Sequence, residues 1–216
     1  MTETESTPAA GWRQVVQDAA RDATLQEAQR RYGTTDLPFN YRWEHVRAVV
    51  RLALRLAELT GADREIVEAA AWLHDIRKRG RDDDHGTRGA AAAREILART
   101  DFPASKIEAV AGAIAQHVGL ICEDPIEPLE AAVLWDADKL AKLGATAVVH
   151  FIGYRIAHSE LDTEALLELS HQPWQPAAVR SFHTAPARAA GRARLQAFHS
   201  FWRQAGLEYD ADDLAP

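Results

Sequence analysis

The sequence predicts an all-α protein. Three observations carry that prediction. Apolar residues recur at three- and four-residue steps through most of the chain, glycine, proline and capping residues punctuate those runs, and no segment keeps the apolar–polar alternation of a half-buried strand. A chain of 216 residues supports one domain with a substantial core. We read 1–10 as a flexible tail and 11–216 as a single helical domain, with its core at about 43–160 and a C-terminal helical extension over 161–205.

The elements follow in order. Residues from Trp12 to Tyr32, rich in Ala, Gln, Arg and Glu, form a first helix stopped by Gly33, and a turn runs through Asp36, Pro38 and Asn40. From Trp43 to Thr60, Val46, Val49, Val50, Ala53, Leu56 and Ala57 make one apolar face, closed at Gly61, and His45 shares that face. Asp63 caps the next helix, whose inner stripe is Ile66, Ala69, Ala70 and Leu73 and which frays at the charged run RKRGRDDDHG. Ala90 to Arg99 and Ser105 to His117 are helices, the second turning Ile107, Val110, Ala111 and Ile114 inward and ending at Gly119. After the loop CEDPIEP, Leu129 to Leu143 is helical. The apolar stretch from Gly144 to about Ile156 is β-branched enough to leave helix and strand both open. HQPWQP reads as loop and Ala187 to Gln204 as the last helix.

Composition narrows the function classes without choosing one. The 47% hydrophobic and 26% charged fractions are those of an ordinary globular protein. With 25 Lys and Arg against 32 Asp and Glu, the chain is mildly acidic, which argues against stable binding to nucleic acid or to an anionic membrane. Cys122 is the only cysteine, so an intrachain disulfide and a cysteine-rich zinc site are excluded. The polar, acidic start and the lack of a run of about 20 apolar residues point to a cytoplasmic protein.

The stretch AAAWLHDIRK, residues 69–78, drives a histidine and an aspartate into the end of an apolar helix. Imidazole and carboxylate ligate divalent first-row metals, and coordination removes the cost of burying either group unpaired. His45 sits on the inner face of the preceding helix, at a separation that lets two antiparallel helices bring their ligand-bearing ends together. Downstream, AAVLWDADKLAKLG presents Asp136 and Asp138 amid apolar residues, and one of these carboxylates completes a His, His, Asp, Asp set.

His45, His74–Asp75 and DADK at 136–139 together resemble the signature of the HD superfamily of metal-dependent phosphohydrolases, whose members are α-helical. RDDDHGTRGAAAAREIL, AIAQH, WDADKLAKLGA and FHTAPARAAGRARLQAFHSFW are similar to successive blocks of its small bacterial branch, so the likeness spans about 43–204. It implies an HD-type helical bundle with additional N- and C-terminal helices. The resemblance assigns the metal to His45, His74, Asp75 and Asp138, because the ligating aspartate of the family precedes the basic residue of a DK pair. Asp136 is then left to orient a ligand from outside. It also implies His85 and His117 as ligands of a second ion, with Asp75 between the two.

Arg77, Lys78, Arg79 and Arg81 follow the metal pair closely enough to receive an anionic substrate. Lys78 matches the K of the HDxxK pattern and is assigned, with Asp75, to catalysis. Arg77, Lys78, Arg81 and Lys139 are assigned to substrate binding. Trp72 or Trp135 is available to stack on a base. Two positions depart from the related blocks: Ala141 stands where an aspartate is usual and Gly89 where a serine is. His150, His158, His171, His183 and His199 lack a comparable constellation and fall to helix surfaces or local hydrogen bonds.

The resulting expectation is hydrolysis of a phosphate ester or anhydride, of a nucleotide above all, by attack of metal-activated water. The cofactor is a divalent metal, Mn or Mg, with Co, Ni or Fe as alternatives. The partner is a small phosphorylated substrate, and a homodimer through the first or last helix is left open. Two rival readings share the fold: a di-iron oxygenase using six His and Asp ligands, as in myo-inositol oxygenase, and a nucleotide-binding or sensing domain without turnover.

Overall fold

The computed structural model describes residues 11–80, 84–158, 162–168, 170 and 174–214, with 156–158 as backbone only. Among them are ten α-helices and no strand. They are α1 (Trp12–Tyr32), α2 (Tyr41–Thr60), α3 (Arg64–Leu73), α4 (His85–Leu97), α5 (Ile107–Gln116), α6 (Leu129–Leu140), α7 (Ala145–His158), α8 (Thr163–Glu168), α9 (Gln175–Arg180) and α10 (Ala185–Asp210). The expected tail at 1–10 lies outside the described residues.

Local chemistry sets most of the boundaries. α1 ends on Gly33 at φ 73° and α2 on Gly61 at φ 80°, left-handed positions that glycine adopts without a Cβ clash. α2 begins two residues before the expected start, because the Asn40 side chain accepts from the Trp43 N–H. Asp63 caps α3 as its sequence predicts, accepting from the Glu65 and Ile66 N–H groups. α4 starts at His85, five residues before the apolar run begins, and α10 runs on to Asp210, past the expected end at Gln204.

The β-branched stretch after Gly144 is a helix. Ala147 and Val148, each four residues before Phe151 and Ile152 respectively, put one apolar face against Phe198 and Trp202 of α10, and that packing overrides strand propensity. The HQPWQP segment is corrected in part: Gln175 and Pro176 open α9, with the proline in the first turn where its missing N–H costs nothing. Residues 171–173 lie outside the described residues.

The centre of the bundle is α2, α3, α5 and α6. α2 lies between α3 and α6, α5 packs on α3 and α6, α4 covers α5, and α1 covers α3. Val49, Val67, Leu73, Val110, Ile114, Val133 and Leu134 are fully buried there. Burying each such side chain contributes about 1.5–3 kcal/mol. This frame brings the start of α2, the ends of α3 and α5, the start of α4 and the last turn of α6 together. α10 then closes over α6, with α9 packed against α10.

Candidate metal centre

α3 ends at Leu73, and His74 to Arg77 continue as a turn, with the Ile76 N–H donating to the Leu73 carbonyl and the Lys78 N–H to the Asp75 carbonyl. The turn aims the Asp75 carboxylate into the interior. Its Oδ2 lies 3.5 Å from His74 Nε2 and 4.0 Å from His45 Nε2, while Oδ1 lies 3.5 Å from both His85 Nε2 and His117 Nε2. Asp138 approaches from α6, with Oδ1 3.0 Å from His45 Nε2. The six residues predicted as ligands are thus brought together, and all are nearly or fully buried.

The imidazoles are prepared as ligands. His74 Nδ1 is 2.8 Å from the Ala71 carbonyl and His117 Nδ1 is 2.6 Å from the Ile114 carbonyl. A carbonyl can only accept, so in each ring Nδ1 carries the proton and Nε2 presents a lone pair. Both Nε2 atoms are buried with no hydrogen-bond partner, as are both ring nitrogens of His45, whose approach to Asp138 is close but not aligned as a hydrogen bond. Orphaned buried nitrogens of this kind are costly, and a cation among them would remove the cost. Two ligand groups satisfy the spacing a single ion needs, His45 with His74 and Asp138, and His74 with Asp75 and His117, each with its donor atoms within 4.8 Å of one another. His74 is the residue common to both groups, while Asp75 falls in the second alone.

The electrostatics suit a cation. Burial lowers His74 to about 3 and His85 to about 4, against the opposing pull of Asp75, and it lowers His45 as well. The rings are therefore neutral near pH 7, the form a metal requires. Burial alone would keep Asp75 protonated, but the Arg42 guanidinium and His74 outweigh it and hold the carboxyl well below its usual range. Asp138 is likewise ionised against its burial by Lys139 and Lys142.

Residues 42–143 match the family model of the HD domain. That stretch of the chain is an HD domain, and it contains all six ligand candidates. Solved structures with the same fold include a predicted HD superfamily hydrolase from an uncultured Thermotogales bacterium, with 22% identity over 91% of this chain and 92% of that one and a TM-score of 0.62. Bacillus subtilis YpgQ in complex with ADP shares 20% identity over 89% and 96%, with a TM-score of 0.60. An HD-superfamily hydrolase from Bacillus thuringiensis shares 20% over 92% and 99%, with a TM-score of 0.61. At these identities the likeness establishes the fold.

Around the HD core, the expected substrate cations divide. Lys78 is half-buried, its Nζ 3.2 and 3.3 Å from the two ring nitrogens of His85, so it caps that side of the centre. Arg77 is exposed, and Arg81 lies outside the described residues. Lys139 departs from its expected role: it is fully buried, donating to Asp138 Oδ2 at 2.5 Å and to the His117 carbonyl at 2.8 Å, with its ammonium 4.0 Å from the Trp135 ring centroid. A cation with its donors spent inside the protein holds Asp138 and the end of α5 in place and cannot receive a substrate. Lys142, one turn further along, reaches Asp138 Oδ1 at 2.6 Å and remains partly exposed.

Three other expectations are revised. Asp136 does not support a ligand; its oxygens accept from the His183 and Thr184 N–H groups and fix the start of α10. Trp135 is buried with its indole N–H donating to the Ser181 carbonyl, and Trp72 stacks on Trp43, so neither is available to a base. His150 is buried beside Phe39 and Tyr41 rather than on a helix surface.

Sequence reasoning missed Arg42 and Glu27. Arg42 donates to Asp75 Oδ2 at 2.5 Å and to Glu27 Oε2 at 2.9 Å, so α1 braces the carboxylate through a buried ion pair. The signal available was the spacing of Arg42 three residues before His45, which puts both on one face of α2. Glu27 carried no signal, because its partner is contributed by another helix.

Proposed function

We propose that this protein is a metal-dependent hydrolase of phosphate esters or anhydrides with a nucleotide as substrate. The observation that carries the reading is the set of partnerless, inward-facing imidazole nitrogens around two ionised, buried carboxylates. A divalent cation held there supplies a Lewis acid and makes a water acidic enough to act as nucleophile near neutrality. His74 has one lone pair, at Nε2, and can serve one ion: that ion would be held by His74 with His45 and Asp138 or with Asp75 and His117, and a second ion would rest on Asp75, His117 and His85 without it. A donor set so rich in imidazole favours Mn, Co, Ni or Fe over Mg, which prefers oxygen and retains its waters.

The chain's own residues supply the remaining parts. Arg42 fixes the orientation of Asp75, and Lys139 that of Asp138. Lys78 on the His85 side and Lys142 on the Asp138 side flank the centre with ammonium groups that can steady phosphate oxygens as charge builds on them. The ADP complex of YpgQ supports a nucleotide over other phosphate compounds.

A second reading draws on the same donor count. Four histidines and two aspartates also suit a di-iron oxygenase. A phosphate-release panel on nucleotides with Mn²⁺, Mg²⁺, Co²⁺ and Ni²⁺ separates the readings. We expect turnover with Mn²⁺ to exceed that with Mg²⁺, and Asp75→Asn to lower it by at least about 100-fold. Iron-dependent oxygen consumption without phosphate release would establish the oxygenase instead, and tight nucleotide binding with no product would establish a sensor.

A further inference from the structure

Beside the Asp138 face of the metal centre lies a cavity of about 240 Å³ whose walls are mostly aromatic: Tyr41, Phe151, Tyr154 and Trp174 contribute rings. Two of its lining residues reach the centre directly. Lys142 Nζ is 2.6 Å from Asp138 Oδ1, and the Tyr41 ring lies over His45 with centroids 5.9 Å apart and planes 12° from parallel. The cavity is smaller than the roughly 300–1,000 Å³ that encloses a whole drug-sized ligand, so it has room for one ring system with the rest of the molecule outside.

Its polar group points to what that ring system carries. Gln175 lines the cavity and is 1% exposed. Its Nε2 donates to the Lys142 carbonyl at 3.4 Å, while its Oε1 is buried with no partner among the described residues. A buried acceptor without a donor costs about 1–3 kcal/mol, and a ligand N–H placed there would recover it. Aromatic walls stack on any planar base, and the partnerless Gln175 oxygen selects for a base edge that donates.

Resting on the phosphohydrolase reading, we infer that this cavity is the nucleobase subsite, with Gln175 accepting a hydrogen bond from the base and Lys142 marking the boundary where the phosphates leave the cavity for the metal centre. Neither Trp72 nor Trp135 takes part. The geometry makes Gln175 a specificity residue, positioned by α9, far in sequence from the metal ligands.

The test compares two non-hydrolysable probes on the Mn²⁺-loaded full chain by calorimetric titration: α,β-methylene-ADP, which has a base, and methylenediphosphonate, which has none. The wild type is expected to prefer the nucleotide by at least about tenfold. Gln175→Leu, and Ala147→Leu, which fills the cavity from its other wall, are each expected to cut that preference severalfold, with thermal melts verifying that both fold. Equal affinity of the wild type for the two probes, or an unchanged preference in both folded variants, overturns the base subsite and leaves the phosphohydrolase reading intact. Binding of neither probe to the wild type overturns that reading and the subsite with it.

Discussion

The tautomer of His74 states the logic of the centre at the scale of one residue. A backbone carbonyl at 2.8 Å takes the Nδ1 proton, and Nε2 is left buried with a lone pair and no partner. Lys139 shows the complementary logic. Burial pulls its ammonium down to about 8 against the pull of Asp138, and it stays charged at neutral pH because that carboxylate is its partner. Replacing it removes one of two ammonium partners of a buried carboxylate and the donor to the His117 carbonyl. Lys139→Met is therefore expected to destabilise the metal-free protein by about 1–3 kcal/mol. Denaturant melts with and without saturating Mn²⁺ check this, and the deficit should shrink with the ion present, because the cation replaces the lost charge.

At the scale of elements, the close approach of α4 and α5 sets the second half of the centre. A Cβ on Gly86 would stand 2.6 Å from Val118 Cγ2 and 3.0 Å from the Ala115 carbonyl oxygen, so only glycine lets the start of α4 settle against the end of α5 and bring His85 within 5.0 Å, ring to ring, of His117. Gly86→Val should push the helices apart, cost about 1–3 kcal/mol in a thermal or denaturant melt, and weaken binding of a second Mn²⁺ more than the first. Gly89, one of the two departures from the related blocks, has a similar packing role: its Cβ would meet Ile114 Cγ2 at 3.1 Å. Helix periodicity made α1, α2 and α3 legible, because their apolar faces and the caps at Gly33, Gly61 and Asp63 are local signals, and α6 was legible from its apolar run alone. α8 and α9 were not legible. Each has six residues, too few for a period to register, and their position depends on what they pack against.

At the scale of the whole molecule, the site is a set of charges and neutral imidazoles placed far from water by five helices. The six ligand candidates were readable from the sequence because histidine and aspartate in apolar runs are conspicuous, and because their blocks resemble a known family in order. The braces were not. Glu27 and Arg42 acquire their role only when α1 packs against the bundle, and Lys139 looks like a surface cation until α6 is buried on all sides. No described helix is long and apolar enough to cross a membrane.

Burial also fixes how metal-free stability varies with pH. His74 titrates at about 3 in the folded chain and near 6.5 when unfolded, so between those values the unfolded state binds more protons. Stability present above pH 6.5 is then lost as pH falls toward 3, by about 1.4 kcal/mol per pH unit from this ring alone. The melting temperature of the metal-free protein should fall between pH 7 and pH 5. A flat profile would mean that the ring is not held neutral in the fold.

The central claim, that imidazoles and carboxylates from five helices gather to hold a divalent cation, is tested most directly by calorimetric titration of the metal-free chain with Mn²⁺, beside His74→Ala. His74 belongs to both ligand groups, so the account predicts at least one Mn²⁺ per wild-type chain and loss of at least one site in the variant. A folded His74→Ala protein that binds Mn²⁺ with the wild-type affinity and number of sites would contradict it.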